Sequence, residues 1–154
     1  EHDGNSQKSE EEAKAIKQLV EDLCKGELTL RDGVTRAVTL DDMLFVAPYN
    51  AQVALLQNHL GKDAKIGSVD KFQGQQAPIV FFSLCASDAN EISRGMEFLY
   101  NLNRINVAIS RAQILAIVVG NPALFCPTIN SVEQIKLVNL VSRLAIYNTN
   151  ENLH

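Results

Sequence analysis

"SVDKFQGQQAPIVFFSL" spans Ser68 to Leu84. Its right half, "PIVFFSL", is a short apolar run rich in β-branched and aromatic residues. Such a run predicts a strand buried on both faces. Directly before it stand Lys71, Gln73, Gly74, Gln75 and Gln76. A plain turn needs a Gly or an Asn and little else. Three glutamines around one glycine therefore read as backbone and amides presented to something. Two readings of Gly74 stay open: it supplies only a positive φ, or it also lets a phosphate or sugar approach the backbone.

Outward from this stretch the chain alternates between helical and strand patterns. Upstream, Ser9 and Glu12 fit a capping box. Ala13, Ile16, Val20 and Leu23 follow at helical spacing, and this helix ends near Gly26. Residues 26–42 are mixed, with a turn signal at Asp32-Gly33. Asp41-Asp42 precedes a strand and reads as a solvated turn. "MLFVA" (43–47) is a second buried-strand run, ended by Pro48. Val53, Leu56 and Leu60 give one helical face ended by Gly61, and "KIGSV" (65–69) is a third strand. Downstream come a polar loop over 86–95, a helix over 98–112 and the strand "ILAIVVG" (114–120). Ser131 and Gln134 form another capping box, opening a helix that carries Ile135, Val138, Val141 and Leu144.

Strands built as apolar blocks and interleaved with helices predict an α/β fold, a largely parallel sheet flanked by helices. In such sheets ligands sit beyond the carboxyl ends of the strands. Pro48–Gln52, the 70–77 loop and Asn121 each follow a predicted strand and can share one edge.

The bulk composition narrows the class. With 154 residues, 46% of them hydrophobic and 21% charged, the chain fits one soluble domain. We divide it into a polar tail (1–8), a domain (9–148) and a second tail (149–154). No Met opens the sequence, so a piece of a larger protein is expected. No apolar run is long enough for a membrane span, and no signal segment opens the chain, so no membrane partner is expected. Cys24, Cys85 and Cys126 lie far apart without a C-x-x-C, and His2, His59 and His154 are scattered; no metal site is expected, and a reduced cytoplasmic setting is. The net charge of −4 argues against a strong free-standing nucleic-acid binder. Residues 61–120, however, hold six Lys/Arg against five Asp/Glu, so the acidity lies mainly in the N-terminal third.

In "LYNLNRINVAISRAQ" (99–113), Leu102, Ile105 and Ile109 form an apolar stripe. Arg104 and Arg111 lie seven apart, on the opposite face of the expected helix. A solvated basic face and a pair of guanidiniums aimed at phosphates both satisfy that spacing. The sequence contains no G-x-x-x-x-G-K-[ST], no strand ending in an Asp-Glu pair for magnesium, and no supported Ser/His/Asp grouping. A complete catalytic constellation is absent from it.

Four segments in order, "VAPYNAQV" (46–53), "GSVDKFQGQQAPIVFFSL" (67–84), "RGMEFLYNLNRINVAISRAQ" (94–113) and "AIVVGNP" (116–122), resemble motifs IV, V and VI of superfamily 1 helicases and the strand that follows them. The resemblance covers roughly residues 9–145. It is to the second RecA-like lobe of the Upf-like branch, closest in wording to bacterial proteins in which a RecB-like nuclease region precedes a helicase region. It implies a RecA-like P-loop NTPase second lobe, part of an ATP-dependent DNA or RNA helicase. ATP and Mg2+ would be held mainly by a first lobe of the same polypeptide, and the isolated chain would be inactive. The partner is single-stranded nucleic acid, DNA before RNA.

Residue by residue, the resemblance makes Arg111 in "AISRA" the catalytic arginine that reaches the γ-phosphate. Arg104 is a second basic ATP-binding position, and Gly74 and Gln76 lie near the nucleotide. Gln76 stands where similar sequences usually carry Glu, and Gln113 replaces a common Arg. Tyr49, Asn50, Gln52, Ser68 and Val69 are implied nucleic-acid contacts. Asn50 fits a helix N-cap equally well, and Tyr49 fits a packing role. A degenerate lobe that binds nucleic acid or a partner without hydrolysis is the alternative, and an unrelated doubly wound enzyme a further one.

Overall fold

Helix α1 (Glu10–Leu23) starts where Ser9 Oγ accepts a hydrogen bond from the Glu12 backbone N–H at 3.2 Å. The computed structural model describes residues 8–85 and 96–120, with side chains from 103 onward in the second stretch. Only half of the expected capping box forms. The Glu12 side chain does not return to the cap but turns into the interior, where it is 5% exposed. Ala13, Ile16 and Val20 bury the face that their spacing predicts.

The mixed region resolves into an antiparallel ribbon of β1 (Glu27–Thr29) and β2 (Thr35–Ala37). Gly33, at φ 84°, and an Asp32 Oδ1 that accepts from the Val34 N–H shape its turn. A single 3-10 turn (Leu40–Asp42) then leads into β3 (Met43–Val46). After it come α2 (Asn50–Leu60), β4 (Lys65–Gly67), a second 3-10 turn (Asp70–Phe72), β5 (Ala77–Ser83), α3 (Met96–Ile109) and β6 (Ala112–Val119). The strand order is β4-β3-β5-β6, with every pairing parallel.

Alternate side chains on each strand supply two cores. Met43, Phe45, Ile66, Ile79 and Phe81 face α1 and α2 through Ala13, Ile16 and Leu56. Phe45 and Phe81 are register partners and stack with centroids 5.0 Å apart. Leu44, Val46, Val80 and Phe82 face the other way, onto Val69, Phe72, Ile105 and Ala108. Burial on both faces is why these strands read as blocks rather than alternations. Pro78 lies in β5, a central strand where the missing N–H breaks the ladder. The register to β6 shifts there, with Ala77 opposite Ala112 but Ile79 opposite Leu115. The last helix, the 86–95 loop, Asn121 and Cys126 lie outside the described residues.

Candidate functional site

The 68–76 segment is the crossover from β4 to β5. Those strands are parallel with β3 between them, so the segment leaves the carboxyl edge at Ser68 and returns at the amino edge at Ala77. Phe72 and Val69 anchor it, 4% and 8% exposed, against the α3 side of the sheet. Gln73 has φ −58° and ψ 123°, Gly74 has φ 80°, and the Gln75 N–H reaches the Phe72 carbonyl at 3.0 Å. Those values make a type II turn over Phe72–Gln75, whose third position requires φ > 0. A β-carbon on Gly74 would meet no atom within 4 Å. Glycine is therefore required by the turn and not by packing, and the turn's outer side is open.

Arg104 and Arg111 line one cavity of about 480 Å³ with Val69, Asp70, Gln73, Asn103 and Val107. The expected helix over 98–112 ends earlier, at Ile109, so Arg111 is not on a helical face. It occupies the two-residue turn between α3 and β6, because β6 already begins at Ala112. That turn is rigid. The Arg111 N–H donates to the Ala108 carbonyl at 3.0 Å, and its own carbonyl accepts from the Ala77 N–H at 3.1 Å. Ser110 Oγ closes the helix end on the Val107 carbonyl at 2.6 Å. Arg111 Nε is buried and has no hydrogen-bond partner among the described residues. A buried, unmatched guanidinium N–H costs free energy unless an acceptor arrives. Arg104 lies 3.8 Å from the Asp70 carboxylate and is 29% exposed. Two guanidiniums on one open cavity are a donor set suited to phosphate oxygens. Asn103 and Val107 escaped the sequence reading, and it did not join Asp70 and Gln73 of the 70–77 loop to the arginines, since only the crossover brings residue 70 beside residue 104.

The other two implied nucleotide residues, Gly74 and Gln76, are not among the residues that line this cavity. Gln76 is exposed at the amino edge and outside the cavity lining. Gln113 is exposed on β6. Lys71 is committed within the fold: its Nζ donates to the Ile66 carbonyl at 2.6 Å and its stem lies across Gly67, whose α-hydrogen face leaves room for it.

The implied nucleic-acid residues divide. Tyr49, Asn50 and Ser68 come together at the carboxyl edge, where the Ala47 N–H still bonds to the Gly67 carbonyl at 3.1 Å. Tyr49 is the N-cap of α2 and is half-buried against the α1 side of the core. Asn50 is exposed in the first helical turn, so the N-cap reading of Asn50 gives way to Tyr49. Val69 and Gln52 do not face this edge. The Val69 side chain packs in the core on the α3 side. Gln52 is fully buried, because its amide satisfies groups that would otherwise be stranded. Its Oε1 accepts from the Ser9 N–H at 2.8 Å, and its Nε2 donates to Ser83 Oγ at 3.0 Å and to the Ser9 carbonyl at 3.3 Å.

The sequence reading also mistook Asp42. Asp41 is solvated as expected, but the Asp42 side chain is 5% exposed and takes both Arg36 Nη atoms at 2.8 and 2.5 Å. Thr39 adds its N–H and hydroxyl at 2.9 and 3.0 Å. The Arg36 guanidinium, against the cost of burial, brings the Asp42 carboxyl down to about 2. No cluster of three or more His, Cys, Asp or Glu stands together among the described residues, and none of their helices is long and apolar enough to cross a membrane.

This parallel sheet, with motif segments at both edges, finds its counterpart among known sequences. Residues 1–123 match the AAA domain family. The chain belongs to that family. This AAA domain is of the superfamily 1, Upf-like helicase type. It is 40% identical over 96 residues to the probable RNA helicase armi of Drosophila melanogaster, covering 56% of this chain and 8% of that protein. It is 36% identical over 100 residues to the RNA helicase Mov10l1 of Homo sapiens, 60% of this chain and 8% of that protein. It is also 42% identical over 83 residues to the DNA polymerase alpha-associated DNA helicase A of Schizosaccharomyces pombe, 52% of this chain and 12% of that protein. The AAA domain thus spans about a tenth of the length of these curated relatives. All three are eukaryotic helicases, which does not support the expected closeness to bacterial nuclease–helicase proteins.

Proposed function

We propose that this chain is the C-terminal motor lobe of an ATP-dependent superfamily 1 helicase, acting on single-stranded nucleic acid with a first RecA-like lobe of the same polypeptide. The observation that carries this is Arg111. Its backbone is fixed on both sides, and its Nε is a buried donor without a partner among the described residues, on a cavity shared with Arg104. The cavity suits a phosphate group, and ATP bound there would supply the transferable phosphoryl group. Arg111 and Arg104 would hold its oxygens, and Arg111 would offset charge that develops during transfer. Mg2+ would be held by the other lobe. The Tyr49–Asn50–Ser68 edge, with Asn50 exposed and the other two half-buried, would carry the nucleic-acid strand. The relatives' names include both RNA and DNA helicases, so both polymers belong in the test.

The full-length protein decides the matter. Arg111→Ala should leave ATP affinity within a few-fold and reduce nucleic-acid-stimulated turnover by about 10³ or more. Arg111→Lys keeps the charge but loses the fork, and should recover only part of that loss. Normal turnover in a folded Arg111→Ala protein would refute the assignment. One observation favours the rival, non-hydrolysing lobe: Gln76 replaces the usual Glu and is not among the residues that line the arginine cavity. ATP affinity without turnover in the wild-type full-length protein would decide for it.

A further inference from the structure

A buried polar chain joins three elements beneath the carboxyl edge. It runs from the start of α1 through α2 to the end of β5. The Ser83 hydroxyl, fully buried, donates its one proton to Glu12 Oε2 at 2.5 Å. It can therefore only accept from Gln52 Nε2. That fixes the Gln52 amide, with Oε1 towards the Ser9 N–H. The Cys85 N–H is a second donor to Glu12 Oε2, at 3.2 Å. The Ser83 hydroxyl and the Cys85 N–H thus converge on one acceptor, Glu12 Oε2.

Cys85 is the only non-glycine residue with positive φ among those described, at 54°. A side chain there costs about 1 kcal/mol or more and needs compensation. The Glu12 bond to the Cys85 N–H supplies part of that compensation, and the Cys85 thiol, 3.3 Å from Ser83 Oγ, also holds the residue. The Leu84 N–H just before it still belongs to the sheet, bonded to the Val119 carbonyl at 2.9 Å. The backbone therefore takes its left-handed turn at Cys85, two residues past the end of β5. The same network seats Gln52, in the first turn of α2, two residues after Asn50.

We infer that Glu12 is a positioning residue for the carboxyl edge: it holds Cys85 left-handed and the first turn of α2 in register, so that the edge presents one fixed surface to single-stranded nucleic acid. Glu12, only 5% exposed, would not itself contact the nucleic acid. The functional half of this inference rests on the edge reading given above. Among the described residues no lysine or arginine joins the network, and the donors to the Glu12 carboxylate are the Ser83 hydroxyl and the Cys85 N–H. The cost of Glu12 is thus tied to geometry that something else must use.

The test uses the full-length protein, a fluorescent single-stranded RNA and a matched DNA, and amide exchange at Cys85. Glu12→Ala should speed exchange of the Cys85 amide about tenfold or more, and weaken oligonucleotide binding by a similar factor. Glu12→Gln keeps a neutral acceptor and should lie between, which covers the case in which Glu12→Ala fails to fold. Cys85→Gly should restore binding in the Glu12→Gln protein, because glycine takes φ 54° without help. A merely stabilising role for Glu12 would show no such rescue, and that result overturns the inference. Unchanged Cys85 exchange in Glu12→Gln and Glu12→Ala overturns it as well. If exchange rises but binding holds, while Asn50→Ala and Ser68→Ala weaken binding, the edge reading stands and Glu12 does not position it. If wild-type protein binds neither oligonucleotide, the edge reading fails and takes this inference with it.

Discussion

Replacing Asp42 by Asn should reveal how much one buried carboxylate holds the ribbon to the sheet. The change keeps shape and one acceptor oxygen but removes the charge that Arg36 grips. The ordinary value of 3.8 falls to about 2 in the folded chain, first because of the Arg36 hydrogen bonds. At about 1.4 kcal/mol per unit, that shift corresponds to an upper figure of roughly 2.5 kcal/mol. Arg36 is 42% exposed, so solvent screens the pair and about 1–2 kcal/mol is the better expectation. Because the native value is depressed, this stability is present above pH 3.8 and disappears as pH falls through about 2. Urea unfolding of wild type and Asp42→Asn should therefore differ by about 1–2 kcal/mol at pH 7. The two should converge as the acid limit is approached. An equal difference at pH 7 and at pH 2.5 would mean that shape or the Thr39 bonds, and not the ion pair, carry the effect.

Glu12 should behave in the opposite sense. Burial pushes its carboxyl up, against the lowering effect of the Ser83 hydroxyl and the Cys85 N–H. A raised native value favours the fold most at pH below the ordinary carboxylate range, and that contribution is lost as pH rises through the raised value; Glu12→Gln should flatten that part of a stability–pH curve. Gly74→Ala should cost about 1 kcal/mol through φ alone, since an added β-carbon meets open space; a loss above about 3 kcal/mol by thermal unfolding would point to packing instead. Gln76→Glu should leave folding unchanged and preserve or raise turnover in the full-length protein, and a collapse of kcat with the fold intact would count against this. The 154-residue chain alone should release no phosphate from ATP, and steady release abolished by Arg111→Ala would overturn that expectation.

Most of the fold was legible because its signals are local. Blocks such as "MLFVA" and "PIVFFSL" have no polar alternation, and the alternate residues of each indeed reach different cores. Gly61 and Gly74 marked real turns. The failures share a different cause. Asp42, Gln52 and Glu12 are polar residues whose partners lie on other elements: Glu12 meets Ser83 across 71 positions, and Gln52 meets Ser9 across 43. Spacing within one element carries no trace of such pairs. Asp42 was the more tractable case, since Arg36 lies only six residues away. The β1–β2 ribbon was missed because its strands are three residues each and mostly exposed, which leaves no hydrophobic period to detect. The site divided along the same line: Arg104 and Arg111 share a cavity, but not through the helical face that their spacing suggested.

That last discrepancy changes what can move Arg111. On a helix, a guanidinium seven residues from its neighbour would follow the helix axis. In the turn, its carbonyl is bonded to the Ala77 N–H instead. Ala77 is the point at which the crossover rejoins the sheet, and Ser68 is where it left. Between them the segment is pinned by Val69 and Phe72 in the core and shaped by the Gly74 turn. A displacement of Ser68 at the carboxyl edge therefore meets a segment of nine residues whose other end is bonded to Arg111. Under the function proposed here, strand contact at Ser68 would open the crossover and the Ala77–Arg111 backbone bond would close it, with Val69, Asp70 and Gln73 lining the arginine cavity between them. The polar run between two apolar ends then has a physical reason: its backbone must pass over β3 from the carboxyl edge to the amino edge, and its side chains would leave the cavity open to a ligand.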